Sequence, residues 1–186
     1  LFPGAPARLA PGRIVERFHL HPDTLDVRPT QGARAPEALP ESSTVERFRS
    51  VVWEHYAAQK RSMPWRETND PYHILVSEFM LQQTQVPRVL PKYEAFLERF
   101  PDVGSLADAS LQEVFALWQG LGYNRRAKYL RDAARAIREH HQGRVPETLD
   151  ELRKLPGVGP YTAAAVAAFA YRQPVSVIET NVRRLF

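Results

Sequence analysis

Apolar residues recur along most of the chain at intervals of three and four positions, which is the spacing of one face of an α-helix. The first residues with this spacing are Val45, Phe48, Val52 and Tyr56. No segment shows a convincing alternation of apolar and polar residues, the pattern typical of a half-buried strand. The connections between the apolar runs are short, so the sequence predicts an all-α domain.

Capping residues, prolines and glycines indicate where these helices begin and end. Asp70 is followed by Pro71, an N-cap and a proline in the first helical position, which predicts a helix that continues to about Gln83. Ser110 and Glu113 have the spacing of a capping box before a further helix. Other helices are predicted to begin at 43, to cover 88–100, 114–118, 123–140, 148–155 and 161–171, and to begin again at 179 or 180.

The first 41 residues differ in composition from the rest of the chain, because they are rich in proline, arginine, alanine and glycine. Prolines at this density disfavour both helices and central strands, so residues 1–41 are predicted to be a disordered or loosely packed extension. Residues 42–186 are predicted to be the helical core. The chain starts at Leu1 and ends at Phe186 inside a predicted helix, so this core is expected to be truncated at its C-terminal end.

The composition limits the chemistry that the chain can perform. It contains no cysteine, which excludes disulfides, thiolate zinc sites and iron–sulfur clusters bound by these residues. The formal net charge of +4 permits a polyanionic partner without requiring one. No apolar run is long enough to span a bilayer and the N-terminus lacks a signal-peptide pattern, so a cytoplasmic location is expected by default.

A glycine-containing turn lies between two predicted helices. It consists of Leu155, Pro156, Gly157, Val158 and Gly159. Glycines two positions apart allow positive φ angles and a close approach of the backbone, and the next helix directs free N–H groups towards the turn. Such a turn is suited to hold a phosphate of the DNA backbone without reading its sequence. The alternative is a plain αα-hairpin, and the nearby Arg153, Lys154 and Arg172 favour DNA.

The helix predicted over 123–140 is strongly basic. Its cations are Arg125, Arg126, Lys128, Arg131, Arg135 and Arg138, and its anions are Asp132 and Glu139. Contacts from such cations to phosphates would weaken steeply with added salt. For this helix taken alone, a solvated surface is the simpler interpretation.

Two glutamates are candidates for acid–base chemistry. Glu78 lies among apolar residues, and desolvation there would raise its pKa and make it a usable general acid near neutral pH. Gln82 and Gln85 follow it at the spacing of one helix face, so the stripe either lines a cleft or is simply exposed. Glu179 begins the last predicted helix, where an anion stabilises the helix N-terminus and is also suited to lie beside a developing sugar cation.

Longer motifs resemble those of the helix-hairpin-helix DNA glycosylase superfamily over roughly residues 45–186. LPGVGPYTAAAVAAFA at 155–170 resembles its DNA-binding hairpin, and VIETNVRRLF at 177–186 resembles the segment with its catalytic acid. The most similar branch is the MutY-type adenine DNA glycosylases, on the basis of PWR at 64–66, DPYHILVSEFMLQQTQV at 70–86, FPDVGSLADAS at 100–110 and WQGLGYNRRAKYL at 118–130. The resemblance implies the helix-hairpin-helix glycosylase fold, a six-helix barrel module with part of a second helical domain.

The resemblance also implies roles for individual residues. Glu78 would protonate N7 of a flipped adenine and help to activate water, and Glu179 would stabilise the oxocarbenium ion. The base pocket would be shaped by Arg66, Tyr161 and Asn181. Contacts with DNA would come from Gln83, Thr84 and Tyr123, and from Leu155, Gly157, Val158 and Gly159 in the hairpin. Gln82 of the polar stripe and Arg125 and Arg126 of the basic helix are further candidates for contact with DNA. The expected protein is a monomeric base-excision repair enzyme of the bacterial cytoplasm, associated with the nucleoid, which removes adenine opposite 8-oxoguanine or guanine in double-stranded DNA.

One residue separates the branches of the family, and two departures from the family pattern keep other functions open. Tyr161 stands where a lyase branch has lysine and cannot form a Schiff base, so a monofunctional hydrolase is expected. Glu179 stands where the branch has aspartate, and a displacement near 1 Å can cost about a hundredfold in rate. No cofactor or metal site is expected within this chain, and the family's [4Fe–4S] cluster would require sequence beyond Phe186. The alternatives are a glycosylase for thymine, uracil or a damaged base, and a non-catalytic DNA-binding module.

Overall fold

The computed structural model describes residues 42–178 and Arg184, all of which lie within the unit Glu41–Phe186. Every regular element among these residues is helical, so the predicted all-α fold is confirmed. The α-helices are α1 (Ser42–Gln59), α2 (Pro71–Leu81), α3 (Val86–Arg99), α4 (Val103–Asp108), α5 (Leu111–Trp118), α6 (Arg125–His141), α7 (Leu149–Lys154) and α8 (Pro160–Phe169). A 3-10 helix covers Pro64–Arg66.

Side-chain caps define several of the helix N-termini. The carboxylate of Asp70 accepts hydrogen bonds from the backbone N–H groups of Tyr72 at 2.8 Å and His73 at 3.1 Å, so the predicted N-cap of α2 is confirmed. The predicted capping box of Ser110 and Glu113 is present at the start of α5. The sequence did not predict α4, although Asp102 caps it in the same way. Its six residues are too few to show a helical period.

Helix α2 is the central helix of the described domain, because every residue from Ile74 to Met80 is buried. It packs against α3, α6 and α8, while α4 and α5 pack against other parts of α6. A helix that is apolar on nearly all sides is stable only when other elements surround it. The alanines of α8 allow a close approach to α2, and those at 163, 165 and 167 are fully buried.

Helix α1 differs from the other long helices because none of its residues is buried within the described part of the chain. Its apolar side chains recur at helical spacing, as the sequence predicts, but they remain at the surface. The large exposed ones are Phe48, Val51, Val52, Trp53 and Tyr56. Helices α2 to α8 therefore contain the packing that positions the candidate site.

Candidate active site

Glu78 is the one acidic residue that the described residues bury, with 8 % of its surface exposed. It belongs to the last full turn of α2 and lines a cavity of about 1260 Å³ between α2, α6 and α8. The same cavity is lined by Tyr161, Ala164 and Gly157. The structure therefore places this carboxyl group at the edge of the core, with access to a space of a size that admits a nucleobase.

Tyr161 occupies the first turn of α8, lines this cavity and is 37 % exposed. Arg125 also lines the cavity, at the start of α6. Arg66 is exposed in the 3-10 helix and does not belong to the lining of the cavity, although the resemblance implied a place in the base pocket. Glu179 and Asn181 lie outside the described residues.

The predicted turn at 155–159 links α7 to α8. Gly157 has a positive φ of 75°, which explains the glycine at this position. The side chains of Leu155 and Val158 are buried in the core, so only their backbone groups are available to a ligand. Gly159 is the N-cap of α8 and has no side chain to occupy the first backbone N–H groups of that helix.

The predicted polar stripe of Glu78, Gln82 and Gln85 does not exist as one helix face. Helix α2 ends at Leu81, two residues earlier than predicted, and Gln83 adopts a left-handed conformation with φ of 54°. Gln82 donates from Nε2 to Oγ1 of Thr162 at 3.4 Å, whereas Gln85 is the N-cap residue of α3. The chain changes direction between Leu81 and Gln85, so Gln85 belongs to the start of α3 and does not share a helix face with Glu78.

A second depression, of about 760 Å³, lies beside the first cavity. Two loops line it, 83–85 before α3 and 119–124 between α5 and α6, together with Arg88 and Phe115. Helix α6 begins at Arg125 and not at Tyr123 as predicted, because Tyr123 has a left-handed φ of 49°. Its ring is 64 % exposed, so it projects from the surface beside Gln83.

Arg126 is largely buried, although it belongs to the lining of the cavity. Only 8 % of its surface is exposed, and its two terminal nitrogens donate to groups of the surrounding loops. The guanidinium also lies over the rings of Trp118 and Tyr123, at 5.6 and 5.4 Å from their centroids. Burial lowers the pKa of Arg126 from its usual value, although a side chain of this basicity remains charged.

Sequence reasoning missed Tyr129, which lines the cavity from α6 and lies against the glycine turn. It follows Arg125 and Arg126 at the spacing of neighbouring turns of a helix, and this spacing was the available indication. Sequence reasoning also missed Asn124, which lines both depressions.

Thr84 was predicted to contact DNA. In the structure its hydroxyl group lies within hydrogen-bond distance of the carbonyl oxygens of Gln82 and Leu121.

The described ranges contain no group of three or more histidine, cysteine, aspartate or glutamate side chains that is arranged to hold a metal ion. The full sequence has no cysteine, so its residues do not fit a thiolate-bound iron–sulfur cluster. No helix among the described residues is sufficiently long and apolar to cross a membrane.

Comparison with protein families matches residues 76–186 to the family described as HhH-GPD superfamily base excision DNA repair protein. A curated adenine DNA glycosylase of Mycobacterium tuberculosis is 46 % identical over 156 residues, which are 81 % of this chain and 51 % of the relative. The human adenine DNA glycosylase is 37 % identical over an alignment of 199 positions, which covers 98 % of this chain and 33 % of the relative. The chain thus spans about half or less of the length of these relatives.

Solved structures give the same fold. A thermostable thymine-DNA glycosylase superposes with a TM-score of 0.73 at 30 % identity, over 77 % of this chain and 66 % of that one. An endonuclease III in a non-covalent complex with DNA superposes with a TM-score of 0.65 at 23 % identity, over 75 % and 66 %. At this identity, the similarity to endonuclease III shows a shared fold only.

Proposed function

Because the chain belongs to the HhH-GPD superfamily of base excision DNA repair proteins, we propose that it removes mispaired adenine from double-stranded DNA, as a monomer and without cutting the strand. The observation that carries this proposal is the buried Glu78 on a cavity that it shares with Tyr161 and the glycine turn. The relatives named adenine DNA glycosylase favour adenine as the base. The preferred base opposite the adenine is 8-oxoguanine or guanine.

The proposed reaction starts when the adenine leaves the helix and enters the cavity, because its glycosidic bond is inaccessible inside the stack. Glu78 donates a proton to N7 of the adenine, which makes the base a better leaving group. The bond between C1′ and N9 then breaks and its electron pair stays with adenine. Water adds to the sugar cation, and the Glu78 carboxylate accepts the proton that the water releases.

The turn at 155–159 binds the DNA strand in this proposal. Backbone N–H groups at Gly157, Gly159 and the N-terminus of α8 face a phosphate, and the partial positive charge of the helix end favours an anion there. Such contacts hold the strand next to the cavity without selecting its sequence. Tyr161 supplies no amine in the cavity, so the product is an abasic site in an intact strand.

The test incubates the protein with a duplex that carries adenine opposite 8-oxoguanine, and hot alkali then reveals abasic sites. We expect product only after alkali, and no covalent complex after borohydride treatment. Glu78→Gln should lower the single-turnover rate by at least about 100-fold, because it removes the proton donor. Glu98→Gln, on the exposed part of α3, is the matched control and should keep the wild-type rate.

Equal rates for Glu78→Gln and wild type would remove Glu78 from the chemistry. Binding of duplex without any base release would instead support a non-catalytic DNA-binding module.

A second candidate is excision of mispaired thymine or uracil, which the likeness to the thymine-DNA glycosylase favours. The same alkali assay with T or U opposite guanine separates the two candidates. Faster release of thymine or uracil than of adenine would replace the first proposal with the second, and the role of Glu78 as proton donor to adenine would be lost.

A further inference from the structure

Gln83 and Tyr123 share an unusual backbone conformation, with φ of 54° and 49°. A left-handed conformation is unfavourable for residues with a side chain, and it persists where the surrounding structure enforces it. Both residues line both depressions, and so does Asn124. These three residues therefore form the wall between the two depressions.

Arg126 lines the larger cavity beside these residues and hydrogen-bonds to the chain neighbours of both strained residues. Its Nη1 donates to the carbonyl oxygens of Phe79 at 2.9 Å, Met80 at 3.1 Å and Gln82. These carbonyls belong to the end of α2, where the last turn of a helix lacks partners of its own.

The other half of the guanidinium binds the second loop and also Thr84 of the first loop. Its Nη2 donates to the carbonyl oxygens of Leu121 at 3.1 Å and Gly122 at 3.3 Å, and to Oγ1 of Thr84 at 3.0 Å. The residues before and after Gln83, and the residue before Tyr123, are thus all bound to one planar group.

We propose that Arg126 is a positioning residue that locks the loops at 82–84 and 121–123 into one arrangement, so that Gln83 and Tyr123 reach the duplex together. The guanidinium is planar and rigid, so a displacement of one loop is transmitted to the other. Lysine, a compact charge with three rotatable donors, cannot hold two acceptors at the end of α2 and four in the two loops at once. The proposal rests on the proposed function insofar as these loops face DNA.

A cap for α2 alone would require only Nη1, whereas two of the three Nη2 contacts are with Leu121 and Gly122 of the other loop. Arg131 provides a matched control, because it is a second buried arginine on α6 whose Nη2 contacts its neighbour Asp132, at 3.2 Å. Nε of Arg126 and Nε of Arg131 are both buried and have no hydrogen-bond partner among the described residues. Arg126 thus hydrogen-bonds to both loops, whereas the contact of Arg131 with Asp132 stays within α6.

The experiment compares Arg126→Lys and Arg126→Met with Arg131→Lys in the full chain. Hydrogen–deuterium exchange is measured for peptides that cover 82–85 and 119–124 and for the rest of the domain, together with the melting temperature. Arg126→Lys should speed exchange in both loops together, with little change in α3 and α4. Arg131→Lys should leave both loops at the wild-type rate. If Arg126→Met does not fold, Arg126→Lys carries the test.

A functional arm separates positioning from simple loss of structure. Arg126→Lys should slow single-turnover base release by about 100-fold and change the affinity for undamaged duplex only a few-fold. Displaced Gln83 and Tyr123 would impair the extrusion of the base from the duplex, whereas the contacts with phosphate would remain.

Faster hydrogen–deuterium exchange in one loop only, or uniformly through the domain, would overturn the proposal. If wild type releases no base from any mispair, the proposed function fails, while the exchange data still decide whether Arg126 couples the loops.

Discussion

Tyr129 of α6 lies so close to Gly157 that the glycine has no room for a side chain. A Cβ atom built at 157 would be 2.6 Å from Cβ of Tyr129 and 3.0 Å from Cε1 of Phe79. The first of these neighbours is fixed to a helix backbone and cannot rotate away. The turn that we propose to bind phosphate can therefore pack closely against α2 and α6 only because residue 157 has no side chain.

Gly157→Ala should accordingly reduce both stability and DNA affinity. The left-handed φ of 75° alone would cost about 1–3 kcal/mol, and the contact with Tyr129 adds to it. Gly143→Ala is the matched control, because Gly143 has nearly the same φ of 77° and a methyl group added there would meet no atom within 4 Å. Urea unfolding should show a larger loss for Gly157→Ala than for Gly143→Ala, and equal losses would mean that the contact with Tyr129 is relieved easily.

Asp70 fixes the beginning of the helix that carries Glu78. Asp70→Ala should lower the free energy of unfolding by about 1 kcal/mol, because the N–H groups of Tyr72 and His73 lose their acceptor. Asp70→Asn keeps an oxygen acceptor and should retain most of the stability. Denaturant titration of both variants measures the difference, and an equal loss in both would assign the effect to charge instead of to the cap.

Salt dependence tests whether Arg125 contacts phosphate. Arg125 lines the cavity, and Arg125→Ala should reduce the slope of log affinity against log salt concentration by about 0.9. Arg138 is paired with Asp108, so Arg138→Ala should leave the slope nearly unchanged. Fluorescence anisotropy with undamaged duplex at several salt concentrations gives both slopes. A wild-type slope for Arg125→Ala would place this side chain away from the DNA backbone.

Tyr93 should make the domain sensitive to alkali. Burial, and to a smaller extent the charge of Asp70, raises the pKa of Tyr93 from 10.0 to about 12 in the folded protein. The folded state therefore holds its proton more tightly than the unfolded state, so this stabilisation is complete below pH 10 and is lost as the pH rises towards 12.

Melting temperatures from about pH 9 to about pH 12 test this dependence. Tyr93→Phe retains the ring and should lose less stability over that interval than wild type. Tyr56→Phe, on the exposed face of α1, should behave as wild type does. Parallel curves for wild type and Tyr93→Phe would show that other groups dominate alkaline unfolding.

Local sequence rules predicted the features that depend on neighbouring residues. The Asp70 cap, the Ser110 capping box and the glycine turn all follow from interactions within a few residues, and so does the burial of Glu78 in an apolar run. The sequence did not distinguish Arg126 from the other cations of the basic helix α6. Its acceptors at α2 are 46 and 47 residues away along the chain, and no local pattern records that contact.

Backbone conformation explains the other differences between prediction and structure. The period of α2 predicts a helix to Gln83 and a shared face with Gln85, but left-handed Gln83 follows the end of the helix at Leu81. Likewise, Tyr123 fits the period of α6 but stands outside it. Neither residue is glycine, so neither position carried the usual sequence indication of a positive φ.

The placement of Glu78 on the most enclosed helix affects how genetic variants of this protein should be interpreted. A substitution at almost any position of α2 disturbs packing, whether or not it contacts Glu78. A screen that scores only loss of the proposed repair activity would therefore count unstable proteins and chemically inactive ones as the same class. Abundance and thermal stability must be measured beside repair before a defect in this segment is attributed to chemistry.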